Sequence, residues 1–400
     1  MKIVIFNTWY FPNMMGGAEH SVKILAENLV KKGQKVVVVT VDSPTKKTVC
    51  ENINGVKVYR LNSGKYKLFD AYAKKYKGFK QLKNKYYELF NKSINNELDR
   101  VLKKIKPDIV HVNCISGLSF KAIECVHEHS IPIIYTLRNY FMLNPTNREM
   151  PKILTYIYKK IVKNYSNYAI AVTAPSLFTL KKHLQLGLFD KVKIKKCIPN
   201  CIDIPYNTTI KEINLHRQRE KKVTNFIYAG WISEDKGIRY LLKAFNNIKT
   251  DATLTLCGDG DLRQLVKDAA KQNKNIKYLG KLDTQALYHQ YELADVSIVP
   301  SIWEEPFGRV VIEANAYGLP VIASDQGGIP EIISTVAGGV VYESKNISAL
   351  TSKMELFCNK KKRMGYLHNI QDNIMKYSVE VQIDDFSALY CKAINVNRSN

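Results

Sequence analysis

Short runs of β-branched and apolar residues alternate along this chain with stretches whose apolar positions recur every three or four residues. The first kind reads as strands, the second as amphipathic helices. KIVIF (2–6) is a strand, followed by a glycine-containing loop and a helix from about Ala18 to Lys32. KVVVVTV (35–41) is the next strand. PDIVHV (107–112), a helix through 118–129 and PIIYTL (132–137) repeat the unit. Residues 168–196 do so again, ending on the strand-like KVKIKK. Strands alternating with helices predict parallel sheets covered by helices on both faces.

A second series follows a polar, poorly periodic stretch, Tyr206–Lys222. NFIYAG (225–230) is a strand, Lys236–Ile248 a helix, and ATLTLCG (252–258), IKYLG (276–280) and DVSIVPS (295–301) are further strands. VVIEANAYG forms a helix closed by Gly318, and LPVIAS returns as a strand. The pattern predicts two doubly wound α/β domains in tandem, joined near 203–223, which suits a chain of 400 residues. Ligands of such sheets bind at the carboxyl ends of the strands, and two facing sheets make one cleft.

Composition narrows the class. With 46% hydrophobic and 24% charged residues the chain is globular, not disordered. No apolar run approaches the roughly 18 residues that span a bilayer. The opening MKIVIFNTWYFP reads as a first strand, with no secretory signal. Eight cysteines lie scattered; Cys197 and Cys201 are four apart, but no further Cys or His pair completes a zinc pattern. This usage predicts reduced thiols in a cytoplasm.

The net charge of +24 is uneven. Residues 1–205 carry 35 basic and 14 acidic side chains, whereas 206–400 carry 25 and 22. The first half is therefore expected to meet something anionic. Residues 65–106 are densest, with 13 basic against 4 acidic. Tyr66, Phe69, Tyr72, Tyr76, Phe79, Tyr86, Tyr87 and Phe90 recur there at helical spacing. Two readings stand: a solvated lysine face over an aromatic core stripe, or a surface lying on anionic lipid headgroups. No nucleic-acid motif accompanies it.

The most informative segment is SIWEEPFGRVVIEANAYGLPVIAS (301–324). Glu305 ends a loop after a strand; Glu313 sits eight positions on, within an apolar helix. A carboxylate buried among Val310, Val311, Ile312 and Ala314 needs a partner. Either it faces solvent or it accepts hydrogen bonds from ligand hydroxyls such as a ribose diol. Gly308 lets backbone come close, and the helix start after it offers free N–H groups to a diphosphate. Glu305 would face whatever is attached to that diphosphate.

This glutamate pair, separated by seven residues, resembles the signature of the family-four retaining glycosyltransferases, group 1, which have the GT-B fold. Other stretches agree in order: 16–40, PDIVHVN (107–113), IPNCID (198–203), AGWISEDKGIRYLLKAF (229–245), LCGDGDLRQL (256–265), ADVSIVPSIWEEPFG (294–308) and GGIPEI (327–332). The resemblance is weakest at 43–106 and 140–166. It implies two facing Rossmann-like domains with an interdomain cleft. Residues 1–205 would bind the acceptor, joined by a C-terminal helix at about 377–400, and 206–376 would bind the donor.

The implied reaction is metal-independent, cofactor-free transfer of a hexose from a nucleotide diphosphate sugar, with retention of configuration. The implied acceptor is a lipid-linked or cell-surface polysaccharide, reached at the inner face of the cell membrane by a cytoplasmic, peripheral enzyme. By resemblance Glu305 holds the donor sugar's hydroxyls, Glu313 the ribose, and Lys236 the diphosphate. Gly16 and Gly17 let a loop close on the donor phosphate, while Phe307, Gly308 and Arg309 complete the donor site.

Two departures matter. Trp231 stands where the family usually has an arginine, so Arg309 is expected to supply the second cation, with Trp231 as a packing residue. YTLRNY puts Arg138 and Asn139 where many members have histidine; Arg138 is expected to hold a donor hydroxyl or an acceptor phosphate. His111 is either a site residue or a satisfied core histidine, and Gly258–Gly260 are expected to form a structural turn. The competing reading is a non-catalytic, family-like partner of another glycosyltransferase.

Overall fold

The computed structural model describes residues 1–14, 16–41, 47–62, 89–144, 152–203 and 223–399. The tyrosines and lysines of 63–88, and most of the expected junction at 203–223, lie outside the described residues. The chain divides into two compact units, residues 1–199 with 382–400, and residues 200–381.

Unit 1 is built on an eight-stranded sheet: β1 (Lys2–Phe6), β2 (Lys35–Thr40), β3 (Val49–Ile53), β4 (Val56–Arg60), β5 (Ile109–Val112), β6 (Ile133–Thr136), β7 (Ala171–Ala174) and β8 (Ile194–Cys197). Its order is β3-β4-β2-β1-β5-β6-β7-β8. The central strands are buried at nearly every position, the mark of a parallel sheet covered on both faces. Helices α1 (Gly17–Lys31), α2 (Ser93–Ile105), α3 (Phe120–Glu128), α4 (Lys152–Ser166) and α5 (Leu177–Gln185) supply the cover. The sequence reading passes over β3 and β4, which form the sheet's antiparallel edge. They are joined at Asn54–Gly55, both left-handed, the pair a two-residue hairpin turn needs.

Unit 2 holds six parallel strands: β9 (Thr224–Ala229), β10 (Ala252–Cys257), β11 (Ile276–Gly280), β12 (Val296–Val299), β13 (Val321–Ser324) and β14 (Gly339–Tyr342). Their order is β11-β10-β9-β12-β13-β14. The helices between them are α6 (Ile238–Asn246), α7 (Arg263–Gln272), α8 (Thr284–Leu293), α9 (Arg309–Ala316) and α10 (Ile329–Val336), and α11 (Ile347–Cys358) and α12 (Lys360–Asn373) follow the last strand. Two doubly wound α/β units were the fold expected from the sequence.

A last helix, α13 (Val379–Arg398), belongs to unit 1 from residue 382 onward. Phe386, Leu389, Tyr390 and Ala393 are buried there. Tyr390 reaches His111, whose Nδ1 lies 2.8 Å from its hydroxyl, while Nε2 lies 2.6 Å from Thr136 Oγ1. His111 is thus a satisfied core histidine that ties α13 to β5 and β6. Burial, and then the Arg138 charge, hold it well below the usual histidine range.

His183, on α5, is equally buried and donates from Nδ1 to the Thr179 carbonyl at 2.8 Å. Burial lowers its pKa to about 4. The unfolded chain protonates this ring near pH 6.5, so it binds more protons than the fold between pH 6.5 and 4. Stability from this group is therefore complete above about 6.5 and lost as the pH falls through 4. The expected loss is ~3 kcal/mol, at ~1.4 kcal/mol per pH unit. Urea unfolding at pH 7 and pH 4.5 checks this; His183→Gln should reduce the difference, the part owed to buried His111 remaining, and an unchanged difference would refute the assignment.

Candidate active site

In unit 2 the chain runs from β9 outward to β10 and β11, then returns to β12 on the other side of β9. The loops after β9 and β12 therefore flank the point where the strand order reverses, the place at which sheets of this kind bind ligands. Lys236 lies on the first loop and Glu305 on the second. Lys236 Nζ donates to Glu305 Oε1 at 2.5 Å, with the side chains 26% and 19% exposed. Ser301 Oγ sits 3.2 Å from the same carboxylate oxygen.

Close backbone approaches fix this geometry. Gly237 has φ +74, and a Cβ there would stand 1.9 Å from the Pro300 carbonyl oxygen. The N–H groups of Ile302 and Trp303 both donate to the Asp235 carbonyl, at 2.9 and 3.0 Å. The Lys236 loop is thereby stitched to the Glu305 loop. Gly258–Gly260 brace it from behind: Ile232 N–H donates to Asp259 O at 2.9 Å and Leu262 N–H to Ile232 O at 2.9 Å. That is a structural turn.

A second ion pair lies on α9. Gly308 caps the helix with φ +97. Arg309 follows, its Nε 2.7 Å from Glu313 Oε1 and its Nη1 3.1 Å from the Cys201 carbonyl. Their side chains are only 10% and 15% exposed, so Glu313 does not point freely into water. Arginine N-terminal to glutamate runs against the helix dipole. The pair therefore owes its place to tertiary packing. Nearby, the Tyr288 and Tyr291 hydroxyls are held above their usual range, first by burial and then by the Glu313 charge.

Three expectations change. Arg309 is turned toward Glu313 and Cys201, not displayed as the cation missing at Trp231. Trp231 is 56% exposed and is no packing residue; its loop is held by its carbonyl, which accepts from the Tyr228 hydroxyl at 2.7 Å. Phe307 is buried, its ring edge-on to Tyr377, so it supports the loop from the core side.

In unit 1 the order reverses between β1 and β5, and the loops after β1, β5 and β6 carry the polar groups. Arg138, buried, donates from Nε to Asn113 Oδ1 at 2.6 Å. Asn139 Nδ2 lies 3.3 Å from Cys114 Sγ, which also faces Thr8 Oγ1 at 3.0 Å. Gly16 caps α1, with Gly17 as its first residue; the Gly16 N–H donates to Glu19 Oε2 at 2.8 Å. Burial raises the Glu19 carboxyl, opposed by backbone hydrogen bonds and by the Arg138 charge. The sequence reading passes over Glu19. Its signal is a carboxylate three residues after the loop glycine, the spacing of a capping box.

Comparison with known proteins assigns both halves. Residues 15–205 match the family model for Glycosyltransferase Family 4, and residues 209–374 that for Glycosyl transferases group 1. An uncharacterised glycosyltransferase of Methanocaldococcus jannaschii is 28% identical, over 95% of this chain and 97% of that protein. Lipopolysaccharide 1,2-N-acetylglucosaminetransferase of Salmonella typhimurium is 36% identical, over 30% of this chain and 35% of its own. Among solved structures, sucrose-phosphate synthase from Thermosynechococcus elongatus aligns over 99% of both chains with TM-score 0.74 and 18% identity. HepE of Anabaena, in complex with UDP, aligns over 98% of this chain and 100% of its own, with TM-score 0.69 and 18% identity. The two structural likenesses establish the fold.

Proposed function

The chain belongs to the group 1 glycosyltransferases of the GT-B fold, and we propose that it transfers a hexose, with retention and without a metal ion, from a nucleoside diphosphate sugar to a lipid-linked or cell-surface polysaccharide acceptor. The observation that carries the proposal is the Lys236–Glu305 pair at the strand-order reversal of unit 2.

As the glycosidic bond breaks, charge builds on the leaving diphosphate. A fixed ammonium and helix N–H groups aimed there stabilise that charge as it develops. We assign these roles to Lys236 and to the start of α9 after Gly308. Glu305 takes the donor sugar's hydroxyls, and Glu313, oriented by Arg309, takes the ribose. On unit 1 we assign Gly16 and Gly17 to the donor phosphate. Arg138, held by Asn113, is assigned to a donor hydroxyl or an acceptor phosphate. The Salmonella relative is named for action on lipopolysaccharide, which supports a surface-glycan acceptor. Among the described residues no helix is long and apolar enough to cross a membrane. Peripheral attachment at the inner membrane face is the reading that the charge asymmetry supports.

Lys236→Ala should weaken a nucleoside diphosphate at least tenfold more than the free nucleoside, because the ammonium meets phosphate oxygens and not the base. Titration calorimetry with UDP, GDP and ADP against their nucleosides tests this. Equal losses would place Lys236 elsewhere.

The non-catalytic alternative draws on Trp231 and on Arg309 being turned to Glu313. A turnover assay with each nucleotide sugar separates the two, since a partner subunit binds without consuming donor.

A further inference from the structure

We propose that the first turns of α4 dock on an anionic lipid bilayer, with Ile153, Tyr156 and Ile157 entering the headgroup layer. The helix has two contrasting faces. Inward, Tyr158 and Val162 are buried, and Phe120 packs against Tyr158 and Tyr165 with ring centroids 6.3 and 5.2 Å away. Outward, Ile153 and Tyr156 are each 69% exposed and Ile157 48%. Their spacing, i, i+3 and i+4, puts them on one stripe. Single exposed apolar residues are ordinary, but three adjoining on one stripe form a patch.

The stripe continues in Lys160 and Asn164, both exposed, with Lys163 beside them, exposed and paired with Asp190 Oδ2 at 2.6 Å. Between Lys152 and Ser166 there is no aspartate or glutamate. A protein partner would bury this patch beside lysines, which interfaces disfavour. An anionic bilayer accepts both parts: acyl and headgroup region for the isoleucines and tyrosine ring, phosphates for the lysines.

Position adds to this. Strands β6 and β7 are parallel, so the helix linking them runs back from the carboxyl end of one to the amino end of the other. The apolar turns open α4. They therefore lie at the end of the sheet that carries Arg138, Asn113 and Gly16. A lipid-linked acceptor would be presented beside those groups; that consequence rests on the proposed function, whereas the docking surface does not.

The test is sedimentation of the full-length protein with vesicles of equimolar phosphatidylglycerol and phosphatidylcholine, and with phosphatidylcholine alone. The parent should bind the anionic vesicles at least tenfold more tightly. The triple variant Ile153→Ser, Tyr156→Ser, Ile157→Ser should lose at least tenfold in that binding, with its melting temperature unchanged. Ile157→Trp should show blue-shifted emission on anionic vesicles. Absence of parent binding, equal binding by the triple variant, or an unshifted Trp signal in sedimented protein would each overturn the proposal. So would a parent dimer that the triple variant dissolves without any vesicle binding, which would make the occupant a second copy. Nucleoside diphosphate binding, followed by thermal shift, should be the same in parent and triple variant. Its absence from both would remove the transferase reading and leave the docking result standing.

Discussion

Glu305→Gln is expected to lower kcat for sugar transfer by about 10²–10³-fold, the cost of removing one preorganised polar contact to the reacting centre. Nucleoside diphosphate affinity should hold or tighten. The direction follows from the ion pair. In the free protein Lys236 is 2.5 Å from the Glu305 carboxylate, so a diphosphate must draw the ammonium away from a countercharge. An amide at 305 weakens that competitor and leaves the cation in place. Steady-state kinetics together with titration calorimetry give both numbers. Full turnover would refute the role of Glu305, and equal losses in kcat and affinity would move the carboxylate from the sugar to the nucleotide.

Most strands of both units were legible because parallel strands buried on both faces leave continuous apolar runs, as in KIVIF and KVVVVT, whereas the half-buried edge strand β14 (GVVY) was passed over. The β3–β4 hairpin was missed because VCENI alternates weakly at an edge, although its Asn-Gly turn was in plain sight. Within the candidate site, Lys236 and Glu305 could be named from spacing but not seen as partners, since 69 residues separate them. Arg309 illustrates the reverse. Its place one residue after Gly308 says nothing about where a long side chain turns, and the buried Glu313 one helical turn on claims it. Trp231 was expected to pack because large aromatic rings usually do. Its neighbours in the loop are fixed through backbone atoms instead, and the indole is left outward.

Gly327→Ala should damage the site as severely as a change to Glu305 itself, although Gly327 carries no chemistry. Its backbone has φ +65, and a Cβ would stand 2.2 Å from the Glu305 carbonyl oxygen, 2.5 Å from the Glu305 nitrogen and 2.7 Å from the Glu304 carbonyl carbon. All three are backbone atoms, so no flexible side chain can swing aside. The neighbouring Gly328 N–H donates to the same Glu305 oxygen at 2.8 Å, and relieving the clash stretches or breaks that bond. The left-handed conformation alone costs an alanine ~1 kcal/mol. Displacing the loop brings the expected destabilisation to about 2–4 kcal/mol. A shift of about 1 Å in Glu305 is enough to cost about 10²-fold in rate. Gly33→Ala is the matched control: its φ is +79, but nothing lies within 4 Å of the added methyl. It should lose ~1 kcal/mol and keep full turnover. Thermal or urea unfolding with kcat for both variants decides the matter. If Gly327→Ala resembles Gly33→Ala in both measurements, the close approach of 327 to 305 does not hold the carboxylate in place.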